Sequence, residues 1–260
     1  MPLRNIALGR YNELMDPEPL KAGFAELVST FLFVFIGEGC AIAFIVVSNG
    51  TVLTPVGLLI TAICHGFAIY VAIANGYHVS GGHVNPAVTV GLLVGGYITI
   101  FKAILYIIMQ LIGAVLASLL LKYTMNGASL PVHDVGGGDN VAQALVLEIV
   151  LTFLLLYTIY ARAVDPRAKE TASTAPLTVG MLVTALILCG APFSGCSMNP
   201  ARSFGPALVA WSWDNHWIYW VGPILGGALA GIIYELIYIE TSEPTGGQHE
   251  RLPSSADQDY

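Results

Sequence analysis

Two short polar motifs interrupt an otherwise apolar chain. Asn85-Pro86-Ala87 lies within VSGGHVNPAVTVG, and Asn199-Pro200-Ala201 within FSGCSMNPARSFGP. Neither carries a nucleophile beside a base or ligands at metal spacing. What they offer is hydrogen bonding and charge. Asn is a favoured helix N-cap and Pro a favoured first helical residue, so each motif reads as a helix start. A helix N-terminus concentrates about half a positive charge. The side-chain amides of Asn85 and Asn199 can donate to a passing oxygen. The preceding SGGHV and SGCSM segments can expose carbonyls as a ladder of acceptors. Arg202 follows the second Asn by three residues, where the first copy has Val88.

The elements that must position these groups are membrane spans. The chain of 260 residues is 55% hydrophobic and 10% charged, with mean hydropathy +0.72. Soluble domains carry about 25% charged residues. Six apolar segments are long enough to cross a bilayer, at 21–46, 54–75, 97–121, 141–163, 173–191 and 216–239. Shorter apolar stretches begin at Asn85 and Asn199 and have the length of re-entrant half-helices, 85–95 and 199–210. The net charge of −7, with acids mostly at the ends and in loops, argues against nucleic acid as a partner. The polar opening, MPLRNIALGRYNELMDPEPL, is not expected to act as a cleaved signal. Cys40, Cys64, Cys189 and Cys196 lack metal-ligand spacing and read as reduced, membrane-embedded thiols. No metal and no cofactor is expected.

Basic residues set an orientation. With six spans, Arg4, Arg10, Lys21, Lys102, Arg162, Arg167, Lys169 and Arg251 fall on one side, and only Lys122 and Arg202 on the other. Both termini are therefore expected in the cytosol.

The chain also repeats. Asn85 and Asn199 are 114 residues apart, Glu26 in AELVSTF and Glu148 in LEIVLTF 122 apart, and Tyr106 and Tyr219 113 apart. Similar offsets at three places indicate a duplicated unit. Because the unit holds three spans, the second copy must cross in the opposite sense. The expected organisation is a segment 1–20, a first repeat 21–125, a connecting loop 126–140, a second repeat 141–239 and a tail 240–260. Inverted repeats place their working site near the bilayer midplane, where interrupted helices present their ends. Irregular backbone at that depth must be buried in protein or line a wet cavity. Two helix N-termini meeting there would repel cations.

Other residues join this expectation. Arg202 is costly inside a membrane, so it is read as functional, with a bridge to a buried acid as the alternative. His65 in AICHGFAIY, paired by the repeat with Ile187, is read as pore-lining. Glu26 and Glu148 are expected to accept hydrogen bonds from the re-entrant loops; the alternative is a proton relay. Glu38 has no acidic counterpart in the second repeat and receives no role. Gly113, Ala117, Gly226, Gly227 and Gly231 suit close helix crossings.

These motifs resemble those of aquaporins over residues 20–240. The opening MPLRNIALGR, with CHGFA and NHWIYWVGP, is similar to plant tonoplast intrinsic proteins. The resemblance implies an all-α hourglass fold of six transmembrane helices and two half-helices, a homotetramer, and one pore per subunit for water or small neutral solutes. It also implies residence in the vacuolar membrane, with the plasma membrane as the alternative. His65, Ile187, Cys196 and Arg202 fall at the four selectivity-filter positions of the family. His133, in LPVHDVGGG, falls where some tonoplast members carry a fifth filter histidine that contacts the arginine. Cys196 departs from the usual Gly or Ala, which narrows the expected opening. Ser203, in place of the Asp common in glycerol facilitators, disfavours glycerol. The function implied is passive water conduction, with ammonia, hydrogen peroxide and urea as further candidate solutes. A proton-coupled transporter using Glu26 and Glu148 remains the alternative. A junction protein is disfavoured by short outer loops, and an enzyme by the lack of a nucleophile–base spacing.

Overall fold

The computed structural model describes residues 7–9, 17–50 and 54–239. Arg4, Arg10, Arg251 and the tail 240–260 lie outside the described residues. The described residues form helices α1 (Pro17–Val47), α2 (Pro55–Gly76), α3 (Pro86–Val94), α4 (Ile100–Thr124), α5 (Val141–Ile159), α6 (Ala175–Ser194), α7 (Pro200–Ala210) and α8 (Ile218–Ile237). Six of them, all but α3 and α7, are long and apolar enough to cross a membrane.

Local chemistry fixes where the helices begin. Thr54 Oγ1 accepts the N–H of Gly57 at 2.9 Å, and Pro55 occupies the first position of α2. Thr99 caps α4, so that span starts three residues later than the apolar run at Tyr97 suggests. Asn140 and Gln143 form a reciprocal capping box that starts α5. The span expected at 141–163 ends in a π-helical turn, Tyr160–Val164, and a 3₁₀ helix, Pro166–Thr174, fills most of the interval before the span expected at 173–191. There Asp165 turns the chain: its carboxylate accepts from the N–H of Arg167 (2.9 Å), from Arg167 Nη2 (2.6 Å) and from the Tyr234 hydroxyl (2.9 Å).

Packing follows the repeat. α1 packs on α4 as α5 packs on α8; α3 packs on α8 as α7 packs on α4; α2 and α6 pack on each other across the pseudo-two-fold axis. In lipid the hydrophobic effect does not drive helices together, so close backbone approach matters more. A Cβ on Gly113 of α4 would collide with the Leu27 carbonyl of α1. A Cβ on its repeat mate Gly226 of α8 would collide with the Ile149 carbonyl of α5. These two glycines set the α1–α4 and α5–α8 distances.

The half-helices enter from opposite faces. The chain leaves α2, folds back through residues 77–85 and starts α3 in the interior. It leaves α6, folds back through residues 195–199 and starts α7 in the interior. The two N-termini meet between the halves, and each half-helix runs outward to the face from which its loop came.

Candidate functional site

The re-entrant loops are shaped by left-handed residues at matching places. Gly81, Gly82 and Val84 have φ of +92°, +65° and +57°, and Gly195, Cys196 and Met198 have +79°, +54° and +54°. Val is β-branched and disfavours this region, so something must hold it there. A buried carboxylate does so in each half. Glu26 accepts from the N–H groups of His83 (2.9 Å) and Val84 (2.7 Å), from the Ser80 hydroxyl (2.6 Å) and from Gln110 Nε2 (2.7 Å). Glu148 accepts from the N–H groups of Ser197 (2.8 Å) and Met198 (2.8 Å) and from the Ser194 hydroxyl (2.7 Å). With their N–H groups turned to the carboxylates, the loops are free to offer carbonyls to the other side.

The asparagines sit at the meeting point. Asn85 Oδ1 caps α3 by accepting the Ala87 N–H at 2.8 Å, and Asn199 Oδ1 caps α7 by accepting the Ala201 N–H at 3.0 Å. Their amide nitrogens reach across the halves: Asn85 Nδ2 donates to the Met198 carbonyl (2.8 Å) and Asn199 Nδ2 to the Val84 carbonyl (2.9 Å). Each amide has two donors, so one N–H per asparagine is left over.

That second donor has a lumen beside it. A cavity of about 30 Å³ is lined by both asparagines, Ser197, His83 and Arg202, with aliphatic and aromatic walls from residues such as Phe33 and Val183. A site of about 10–15 Å³ holds one water, so this space fits molecules in file. On the α3 side it shares Ile73, His83, Val88, Ile159 and Val179 with a wider cavity of about 420 Å³. On the α7 side it shares Arg202 with another of about 400 Å³. Two vestibules joined through a narrow waist give the hourglass.

The waist on the α7 side holds the charged residues. Arg202 is 5% exposed. Its Nη1 donates to the carbonyls of Cys196 (2.7 Å) and Ser197 (3.4 Å), and its Nε to Glu38 Oε1 (3.3 Å). His65 lies against Glu38, with Nε2 3.6 Å from Oε1, while its Nδ1 meets the Thr61 carbonyl at 2.9 Å. His133 lines the same vestibule, but its hydrogen bond goes to the Ser203 hydroxyl (3.1 Å) rather than to the guanidinium. Burial first, and then the Arg202 charge, hold the His133 imidazole well below the ordinary histidine range. Ser203 in turn is bonded to Ser197, in the loop.

Ile187 and Cys196 contribute differently from His65 and Arg202. Both are buried, and neither side chain lines the cavities described. Cys196 presents its carbonyl to Arg202 and turns its thiol back to the Leu186 carbonyl at 3.2 Å.

Glu38 is the polar residue the sequence left without a role. The sequence offered only a general hint, that an acid and an arginine each buried in an apolar segment are cheaper paired than apart; which acid meets Arg202 is decided by the packing of α1 on α7 and α2. The Ser197–Ser203–His133 chain had no comparable signal, because loop 126–140 has no periodicity to show that it dips inward.

A bundle of two inverted three-helix repeats, with half-helices abutting by their N-termini between two vestibules, defines an integral membrane protein of the hourglass class. The chain belongs to the major intrinsic protein family, whose model matches residues 13–234. It is 50% identical over 255 residues to a probable aquaporin TIP-type of Medicago truncatula, covering 98% of this chain and 99% of that protein. It is 48% identical to aquaporin TIP1-1 of Arabidopsis thaliana, with the same coverage. Its fold matches the X-ray structure of the aquaglyceroporin from Plasmodium falciparum with a TM-score of 0.75, at 22% identity, over 84% of this chain and 96% of that one.

Proposed function

We propose that the protein is a passive water channel of the vacuolar membrane. It assembles as a homotetramer with a pore in each subunit and both termini in the cytosol. Family membership and the aquaporin names of its relatives support the reading. The observation that carries it is the waist between Asn85 and Asn199. Each asparagine is locked by a bond across the halves and keeps one N–H for a passing oxygen. A water that gives its oxygen to these two donors turns its hydrogens away on both sides, which breaks the hydrogen-bonded wire a proton would need. The paired helix N-termini add a positive potential at the same point. His65 and Arg202, with His133 and the Cys196 carbonyl that holds the guanidinium, form the second barrier in this reading, and Ile187 packs behind it.

The carboxylates favour a channel over a proton-coupled transporter. Glu26 and Glu148 line none of the three cavities, and their oxygens are taken up by loop N–H and hydroxyl groups. A relay needs a carboxylate that meets the transported proton.

The test is stopped-flow light scattering on proteoliposomes. Osmotic shrinkage much faster than in empty vesicles, unaffected by an imposed proton gradient, is expected. A rate equal to that of empty vesicles would reject the reading, and a rate that follows the proton gradient would favour the transporter.

A further inference from the structure

Glu38 sits at a place where a carboxylate is expensive. It is 3% exposed, deep within α1, and lines the vestibule together with His65 and Arg202. Its Oε1 accepts from Arg202 Nε at 3.3 Å and stands 3.6 Å from His65 Nε2. The sequence Gly37-Glu38-Gly39 makes this meeting possible, since a Cβ on Gly37 would lie 2.7 Å from the His65 ring.

The hydrogen bonds around His65 decide what that 3.6 Å gap is. The Thr61 carbonyl can only accept, so in the neutral ring Nδ1 carries the proton. Nε2 then presents a lone pair, is buried, and has no hydrogen-bond partner among the described residues. Two acceptors face each other at that distance. Such a contact is costly, so it is held by what surrounds it: Glu38 by Arg202, and His65 by Thr61.

We infer that Glu38 is a positioning residue of the constriction: it pins Arg202 through Nε and, packed against Nε2 of His65, fixes where the imidazole stands in the vestibule wall. The guanidinium is held by opposed anchors, the Glu38 carboxylate on Nε and the Cys196 carbonyl on Nη1, and so is kept against the wall. The Glu38 charge also offsets the arginine, leaving cation rejection chiefly to the paired helix N-termini. This inference rests on the channel reading for its flux readout, but not for the pinning of Arg202.

The experiment compares full-length wild type, Glu38→Gln, Glu38→Asp, Arg202→Val, His65→Phe and the doubles of Glu38→Gln with each of the last two, all in proteoliposomes. Glu38→Gln keeps the shape but removes the charge that holds Arg202 and changes what faces His65. We expect its water permeability to fall about tenfold, the scale of one lost charge-assisted hydrogen bond. The same substitution is expected to have a much smaller effect in the Arg202→Val and His65→Phe backgrounds, because the groups it acts through are gone. Glu38→Asp, which keeps the charge, is expected to retain most of the permeability. A purely structural Glu38 would give the same fold-change in every background, and that result, or wild-type flux in Glu38→Gln, would overturn the inference. A second readout does not depend on flux: the Arg202 Nε–H resonance, assigned by its loss in Arg202→Val, should move upfield in Glu38→Gln. If Glu38→Gln does not assemble, Glu38→Asp gives the same readout through its longer contact. A resonance unmoved by the substitution would overturn the pinning. Absence of water flux from wild type with a shifted resonance would instead overturn the channel reading alone.

Discussion

Asn85 and Asn199 are tied to each other through one carbonyl each: Asn85 donates to the residue before Asn199, and Asn199 to the residue before Asn85. The two half-helices are therefore locked head to head by a reciprocal pair of bonds, and neither asparagine can turn without breaking a bond to the other repeat. The positive helix ends are fixed where the lumen is narrowest.

Substituting Asp at either motif tests this. Asn199→Asp or Asn85→Asp keeps the cap but loses the cross-repeat donor and adds a full negative charge where two half-charges repel cations. Proton and cation leak across proteoliposomes, followed with an internal pH dye under a potassium diffusion potential, is expected to rise about tenfold or more as that charge cancels the field of the paired helix ends. An unchanged leak would place the cation barrier elsewhere, at Arg202.

The loop carboxylates predict a stability effect instead. Glu148→Ala leaves the Ser197 and Met198 N–H groups and the Ser194 hydroxyl without their acceptor. At about 1–3 kcal/mol for each unsatisfied buried group, partly relieved by water, the loss is about 3 kcal/mol. For a chain of this size that lowers the thermal midpoint by about 10 °C. Glu26→Ala should cost at least as much, because Glu26 also takes Gln110. Size-exclusion chromatography after a heating series measures both. Midpoints unchanged by either substitution would mean the loops hold their left-handed residues without the carboxylates.

Cys196 gives a prediction against the simplest expectation from its position. Its thiol is fully buried and bonded to the Leu186 carbonyl, while its backbone faces Arg202. Cys196→Ala is therefore expected to leave both water permeability and the response to mercurials as they are in wild type. Loss of a mercury block on this substitution would put the thiol in the lumen.

How much of this was legible in the sequence follows from what kind of signal each residue leaves. Asn85, Asn199, Glu26 and Glu148 come in pairs at similar offsets, and a pair in inverted halves has few structural explanations. The helix ends at Thr54 and Asn140 were marked by capping residues next to apolar runs. The π turn at Tyr160–Val164 left no mark, since its residues suit an α-helix equally well, and neither did the 3₁₀ helix after it. Glu38 could not be placed because its partners, His65 on α2 and Arg202 on α7, come together only through packing. The direction of the Cys196 side chain depends on its positive φ, which in the other repeat belongs to Gly82 and which a cysteine does not announce.

Asp165 carries a pH prediction. It lies between α5 and α6, outside the spans, and holds the turn by accepting from Arg167 and from Tyr234 of α8. The Arg167 bond above all keeps its carboxyl well below the usual carboxylate range. A group whose value is depressed in the folded state contributes stability that is fully present above the unfolded value, about 3.9 for Asp, and is lost as pH falls below it toward the folded value. Lowering the pH from 6 to 3 should therefore cost wild type more thermal stability than Asp165→Asn, which has no charge to lose there. At pH 6 the ranking reverses in absolute terms, wild type being the more stable because its ion pair is intact. Thermal midpoints of both proteins at the two pH values decide it, and parallel loss in the two would mean that the Asp165–Arg167 pair contributes nothing to holding α5 against α8.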